Sequence, residues 1–373
     1  MFCNHIELEN FRNIGKAEVD FSDGVNVLLG DNAQGKTNLL EAIYIASVGK
    51  SFRATREAEL LGFGSDYAKL SLEFTDTRRQ KIDIRMAAGR RKQIEINQNK
   101  VTKLSDMVGR FRCVLFCPEH LSLIKGAPAE RRAFMDEAIS QLRPMYTVAL
   151  LKYEKILKQR NTLLKNALED RFTFDSTIGY WSEALAHEAA IISRFRESYA
   201  KQMESFMQEC FSQMSEKTGK CDEVPTLVYK GSSEQESYDD LNATKEKYLA
   251  LLSMNVEREI YAGTTLYGIH KDDLDICLGG KSARLYASQG QQRSLALALK
   301  LAEGEISRKE TGEYPVFLLD DVLSELDFKR RSYLIEEIKG KQVIMTTCEI
   351  RDEVYDGANI IHVKDGVFSG DGL

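Results

Sequence analysis

The sequence predicts an α/β fold: a mixed sheet with helices and an antiparallel β lobe, interrupted by an inserted all-α block. Three observations carry that prediction. Near the N-terminus an apolar run, Val25–Leu29, meets the octet Gly30-Asp31-Asn32-Ala33-Gln34-Gly35-Lys36-Thr37, and residues 38–48 follow with helical periodicity. Far downstream a second apolar run, residues 316–319, ends in Asp320-Asp321; short and wholly apolar, it reads as a parallel strand covered on both faces. Between them, residues 131–168 and 175–217 show i, i+3, i+4 apolar spacing dense with charge, as long amphipathic helices do.

The octet reads G-x-x-x-x-G-K-T, which binds phosphate only where a strand delivers it to a helix N-terminus. Both flanks are present. There the backbone N–H groups and the positive end of the helix dipole face a polyphosphate. Gly30 and Gly35 let the backbone approach closely, Lys36 reaches the β- and γ-phosphates of ATP, and Thr37 offers its hydroxyl to Mg²⁺.

Taken in order, residues 1–21 alternate apolar and polar around an Asn13–Gly15 turn, predicting two strands. After the octet and its helix, residues 68–74, 81–86 and 93–96 alternate as an antiparallel meander would, with Gly89 and Asn97-Gln98-Asn99 supplying turns. Residues 114–116 predict a further strand, ended by Pro118. Phe172 to Asp175 predict a connection and N-cap between the two long helices, and 238–258 a third helix. Strands are expected at 266–269, 274–278, 316–319 and 343–346, and a helix at 290–309. The expected division is 1–127 and 259–373 as two halves of one head, with 128–258 as the helical insertion.

Composition sets the bounds. The chain has 373 residues, 43% of them hydrophobic, and a net charge of −6, as a globular protein with a sizeable core would. No apolar run approaches the roughly 20 residues that cross a bilayer. The start of the sequence carries no secretory pattern, and its seven cysteines, without paired spacing, fit reduced thiols in the cytoplasm. The negative charge argues against a uniformly cationic DNA-coating protein, yet residues 78–112 hold eleven cations against three acids. Arg78, Arg79, Arg90, Arg91 and Lys92 belong to this stretch, which reads either as a solvated strand face or as a phosphate-contacting patch for nucleic acid.

Asp320-Asp321 gives the octet a counterpart. Adjacent carboxylates repel unless a metal or solvent compensates; beside a phosphate loop, Asp320 can hold Mg²⁺ and Asp321 can orient or deprotonate an attacking water. A third motif, Ser288-Gln289-Gly290-Gln291-Gln292-Arg293, opens the helix expected at 290–309, where small residues again make an anion-binding terminus.

This third motif resembles the Ser-Gly-Gly-Gln signature of ABC-type ATPases, and Ser324-Glu325-Leu326-Asp327 stands where their D-loop does. In that superfamily the signature of one protomer covers the γ-phosphate bound by the other, so the resemblance implies an ATP-dependent homodimer with Ser288, Gln289, Gly290 and Gln291 acting in trans. Lys36 and Asp320 are 284 residues apart, a split head resembling the structural-maintenance-of-chromosomes and DNA-repair branch. Within it the chain resembles the RecF family of bacterial recombination mediators. The matching segments are Leu8-Glu9-Asn10-Phe11-Arg12-Asn13, Asn32 to Ile43, Pro118-Glu119-His120-Leu121, Lys125-Gly126, Arg131-Arg132, His270-Lys271-Asp272-Asp273-Leu274, Ala287 to Arg293, and Asp320 to Asp327. Phe52, His120 and Lys271 depart from the residues usual in that family, and Thr346-Thr347 stands in place of the transporter histidine switch.

The resemblance implies nucleotide contacts from residues 30–38, ending at Asn38, and from Arg12. It further implies slow, DNA-stimulated hydrolysis of ATP used as a switch, and binding of duplex DNA and gapped or single-strand junctions. Its expected partners are RecR and RecO and, indirectly, RecA, with roles in DNA repair, replication and the SOS response and no membrane. The rival readings are an ABC-type subunit energising a membrane transporter and a small-molecule P-loop kinase; the signature and D-loop positions disfavour the kinase.

Overall fold

The computed structural model describes residues 1–218, 223–349 and 357–370. They divide into two compact units. The first comprises Met1–Ser122, Glu209–Cys221 and Gln289–Leu373, the second Leu123–Gln208 and Asp222–Ser288.

The first unit opens with β1 (Phe2–Phe11), β2 (Ile14–Asp20), β3 (Val25–Leu29) and α1 (Lys36–Val48). The meander β4 (Tyr67–Thr75), β5 (Arg79–Ala87), β6 (Gln93–Ile96) and β7 (Asn99–Val101) follows, and then β8 (Cys113–Phe116). The second unit holds α2 (Pro128–Leu142), α3 (Pro144–Asn166), most of α4 (Arg171–Thr218), β9 (Pro225–Lys230), α5 (Leu241–Met254), α6 (Val256–Ala262), β10 (Asp273–Leu278), β11 (Lys281–Ser282) and the single turn α7 (Ala283–Tyr286). The chain re-enters the first unit through α8 (Gln289–Thr311), β12 (Val316–Asp320), α9 (Val322–Glu325), α10 (Phe328–Glu337), β13 (Val343–Thr347) and the hairpin β14 (Asn359–Lys364), β15 (Val367–Gly370).

The first unit has two six-stranded sheets. One, ordered β15-β14-β3-β13-β12-β8, is parallel except where β15 closes the hairpin with β14. Its register sets Thr347 beside Leu29, Asp320 beside Thr346 and Leu319 beside Phe116, so the residues that follow these strands emerge on one edge. The other, β2-β1-β4-β5-β6-β7, is the predicted antiparallel lobe. Helix α1 lies in one hydrophobic core with both sheets: Leu39, Leu40 and Ile43 share it with Ile6, Leu70 and Ile84 from the lobe and with Leu28, Leu318 and Ile344 from the parallel sheet. That explains why α1 lacks a polar stripe; a helix apolar all round is a buried one.

The second unit departs from expectation in several places. It is not purely helical, because β9, β10 and β11 form a small antiparallel sheet. The β9–β10 pairing ties 225–230 to 273–278, which carries the unit to Ser288 rather than the expected 258. Residues 131–168 do not form one helix: Arg143 is extended ahead of Pro144, as the residue before a proline must be. The connection to α4 lies before residue 171, not at 172–175; Asp170 accepts the N–H of Thr173 (3.0 Å) with its side chain and that of Phe174 (3.1 Å) with its carbonyl. The third helix divides at Asn255 into α5 and α6, its start capped by Asp240. Residues 266–269 do not form the expected strand, because Leu266 N–H goes to the Glu259 carboxylate (2.7 Å) and that of Thr265 to Asn161 Oδ1 (2.8 Å) instead of a ladder.

A buried ion pair anchors this unit. Arg160 and Glu259 are both fully buried and meet at 2.6 Å. Arg160 also donates to Ser182 Oγ (3.1 Å) and Thr265 Oγ1 (2.8 Å), so each of its three side-chain nitrogens has an acceptor. Among the described residues no helix is long and apolar enough to cross a membrane.

Removing one partner strands the other charge in a dry site, which costs about 3–5 kcal/mol. Arg160→Met is therefore expected to lower the unfolding free energy in urea by that much, with part recovered in Arg160→Met/Glu259→Gln; an unshifted urea midpoint in the single variant contradicts the anchoring role.

Candidate nucleotide-binding site

The parallel register delivers four loops to one cavity of about 550 Å³, lined by residues from Asn32 to Asn38 and by Asn13, Phe52, Arg53, Pro118, Glu119, Asp320, Asp321, Thr346 and Cys348. Strand β3 hands the octet to α1 as the motif requires. A side chain at Gly30 would put its Cβ 2.2 Å from the carbonyl oxygen of Val363, and Gly35 sits at φ +112° as the N-cap of α1; both positions need glycine. No side chain caps that helix start, which leaves its first N–H groups for an anion. Lys36 Nζ donates across its own loop to the carbonyl oxygens of Gly30 and of Asp31 (2.8 Å).

Thr37 Oγ1 donates to Asp320 Oδ1 at 2.7 Å, joining the octet to the acidic pair across 283 residues of sequence. Thr346 Oγ1 donates to the same oxygen at 2.9 Å and accepts the backbone N–H of Asp321 at 2.9 Å. Burial pushes the Asp320 carboxyl up, and the two hydroxyl bonds and the nearby Arg53 oppose that shift. Asp321 stands at φ +50°, a sparsely allowed conformation for a non-glycine residue and one that clusters at functional sites. Hydroxyl and carboxylate oxygens are hard donors of the kind Mg²⁺ takes, so Thr37 and Asp320 fit that ion.

Several lining residues lie outside the octet and the acidic pair. Asn13 holds Ala33 O (3.3 Å) and accepts from Asn38 Nδ2 (2.8 Å). Cys348, just past β13, lies 3.5 Å from Lys36 Nζ and 3.1 Å from Asn32 Oδ1. Glu119 follows β8 on the same edge as Asp320. The β14–β15 turn, Asp365-Gly366 with both residues left-handed, grips Gln34: Asp365 N–H donates to its side-chain oxygen (2.6 Å) and Gly366 N–H to its carbonyl (2.9 Å). An Asp-Gly pair between alternating residues was the available signal.

Other expected residues lie elsewhere. Arg12 does not line the cavity; it makes a bidentate pair with the fully buried Glu41 (2.7 and 2.9 Å). Gln289, Gly290 and Gln291 open α8 and, like Ser288, Ser324 and Asp327, are absent from the cavity wall. The segments expected to be signature and D-loop are nonetheless tied together. Arg293 donates to Glu325 O (2.7 Å), and Arg330 bonds Ser294 Oγ (2.8 Å) and pairs with Asp327, which caps α10. Of the departures, Phe52 packs edge-on against Tyr44 and lines the cavity. His120 is half-buried and stacked on Phe116, and desolvation holds its pKa well below the ordinary value. Lys271 is exposed on a short 3₁₀ turn.

The basic meander is less basic in three dimensions than in sequence. The folded chain brings in acids from outside 78–112: across the sheet Arg79 meets Glu73 (2.6 Å) and Lys81 meets Glu73 (3.3 Å) and Glu7 (3.8 Å), while Lys92, in the β5–β6 loop, meets Glu57 of a 3₁₀ turn (2.9 Å). Opposite charges on the neighbouring strands β4 and β5 offset one another there. Arg78 and the exposed pair Arg90-Arg91 sit beyond opposite ends of β5, about 30 Å apart for nine residues at strand rise, so they form no single patch.

Residues 2–367 match the family described as RecF/RecN/SMC N terminal domain. The chain is 40% identical over 348 residues to the DNA replication and repair protein RecF of Ruminiclostridium cellulolyticum, covering 93% of this chain and 92% of the relative. It is 40% identical over 377 residues to the RecF of Oceanobacillus iheyensis, covering 98% and 100%. A solved structure of the recombination mediator protein RecF-ATPrS in the RecFOR pathway superposes with a TM-score of 0.92 at 34% identity, covering 100% of this chain and 98% of that one. The Smc head domain with an extended coiled coil from Pyrococcus furiosus, at TM-score 0.56 and 20% identity over 100% and 96% of the two chains, is alike in fold alone. The fold is an ABC-type ATPase head carrying an inserted, mainly helical unit, and the chain belongs to the RecF family.

Proposed function

We propose that this chain is an ATP-dependent DNA-binding protein of recombinational repair and replication, acting in the cytoplasm. The observation that carries the reading is the Thr37–Asp320 bond inside the cavity, which joins the phosphate loop to the acidic strand end beside Lys36. Lys36 leaves the loop carbonyls for the β- and γ-phosphates. Thr37 and Asp320 hold Mg²⁺, which neutralises phosphate charge when bound. Asp321 orients the attacking water and accepts its proton.

Ser288, Gln289, Gly290 and Gln291 lie off the cavity wall, which supports a role for them on the γ-phosphate of a second copy. Two copies then close on ATP, clamp DNA near a single-strand gap, and reopen on slow, DNA-stimulated hydrolysis. With RecO and RecR, the clamp promotes RecA loading and the SOS response. Of the basic meander, Arg90 and Arg91 are adjacent and both exposed, which supports a DNA-backbone contact at that end of β5.

Three outcomes test this. Asp321→Asn, which keeps binding but removes the base, is expected to lower hydrolysis by about 10²–10⁴-fold and to trap a dimer on sizing chromatography with Mg-ATP; a monomer under those conditions sinks the trans arrangement. Lys36→Ala is expected to abolish both nucleotide binding and that dimer. Charge reversal at Arg90 and Arg91 is expected to weaken binding to gapped duplex and to flatten the slope of its log–log salt dependence by about one for each phosphate no longer neutralised. Reversal at the paired Arg79 is expected to change it little, and equal effects at the two places contradict the assignment.

A further inference from the structure

Thr346 is the last buried residue of β13, at 4% exposure, and its sequence position marks it only as standing, with Thr347, where transporter ATPases carry a histidine switch. Strand preference alone does not ask for it, since valine or isoleucine would serve a buried parallel strand as well. Its hydroxyl, however, is used in both directions. It donates to Asp320 Oδ1 at 2.9 Å and accepts the N–H of Asp321 at 2.9 Å. The Asp320–Thr346 register of the parallel pair puts it there.

Two consequences follow for the acidic pair. Thr37 and Thr346 both donate to Oδ1 of Asp320, so the carboxylate is pinned about its own axis by two hydroxyls and its other oxygen is turned by them. Asp321 is held at φ +50° with its N–H directed onto Thr346. A residue in that conformation persists only where its surroundings over-determine it, and this N–H bond, with Ser324 Oγ donating to the Asp321 carbonyl at 2.8 Å, supplies the restraint.

From this geometry we infer that Thr346 is a positioning residue for hydrolysis: one hydroxyl sets the metal-facing carboxylate of Asp320 and the backbone angle from which Asp321 reaches the attacking water. This rests on the nucleotide-binding reading above, and it assigns to β13 a part in the chemistry beyond the phosphate loop and the acidic strand. Outer partners of this kind are worth roughly 10–100-fold in metal affinity or activity when removed.

The test compares Thr346→Val, isosteric but without the hydroxyl, with Thr346→Ser in the full chain. The readouts are affinity for a fluorescent ATP analogue with and without Mg²⁺, the Mg²⁺ concentration for half-maximal hydrolysis, kcat and KM, and melting temperature. Thr346→Val is expected to bind the analogue without Mg²⁺ within about threefold of the parent, to need about tenfold more Mg²⁺, and to fall at least about tenfold in kcat with KM nearly unchanged. Thr346→Ser is expected to stay within about threefold in all of these. Parent-like Mg²⁺ dependence and kcat in Thr346→Val overturn the inference, as does equal impairment of the serine variant. Loss of Mg²⁺-free binding together with a lowered melting temperature also overturns it, in favour of a purely structural role. If Thr346→Val does not fold, Thr346→Ala, which needs no extra space, carries the same comparison. A parent protein that binds no Mg-ATP would instead remove the nucleotide reading itself.

Discussion

The site depends on the register of five parallel strands. Because Leu28, Thr346 and Asp320 fall level across the sheet, one residue past the Leu319–Phe116 pair, residues hundreds of positions apart meet without long loops. A parallel sheet places its ligand outside the carboxyl ends of its strands. A slip of one residue in β12 would turn Asp320 to the opposite face and send a neighbouring apolar side chain toward the phosphate loop. Burial of Leu318 and Leu319 against the core makes that slip costly, so hydrophobic packing fixes the position of the charges.

The same sheet shows how polar groups are tolerated next to a core. Asp320 is buried, yet its oxygen receives two hydroxyl donors. Glu41, fully buried on α1, is met by both forks of Arg12. In the second unit, Arg160 and Glu259 are enclosed by Ser182, Thr265 and the N–H of Leu266. Each of these charges is compensated within its own unit, the condition under which buried charge is sustainable.

How legible all this is in the sequence depends on the range of the interactions. The phosphate loop, the acidic strand end and the parallel strands are readable because motif and apolar run coincide locally, and β3, β6 and the strand at 316–319 stand where periodicity places them. The break at Arg143-Pro144 is masked although the proline marks it, since the apolar period continues on both sides. The ion pairs that neutralise the meander are invisible, because Glu7, Glu57 and Glu73 lie outside the basic stretch and join it only in the folded chain. Cys348 is hidden for the same reason, and Thr346, visible only as the absence of a histidine switch, gives no sign that its hydroxyl meets the acids, because only the register brings it there. Arg12, which the family resemblance assigns to the nucleotide, is occupied by Glu41.

The hairpin that closes the parallel sheet has a practical side. Two-residue turns at the tips of hairpins are ordinarily good places to lengthen a chain or attach a label, since little of the fold leans on them. The Asp365-Gly366 tip is different, because both of its N–H groups are spent on Gln34, and a side chain at Gly366 would meet Asn13 O at 2.6 Å. Anything spliced into that tip would be transmitted straight to the phosphate loop, whereas the Gly89 tip of the other sheet has open space around it.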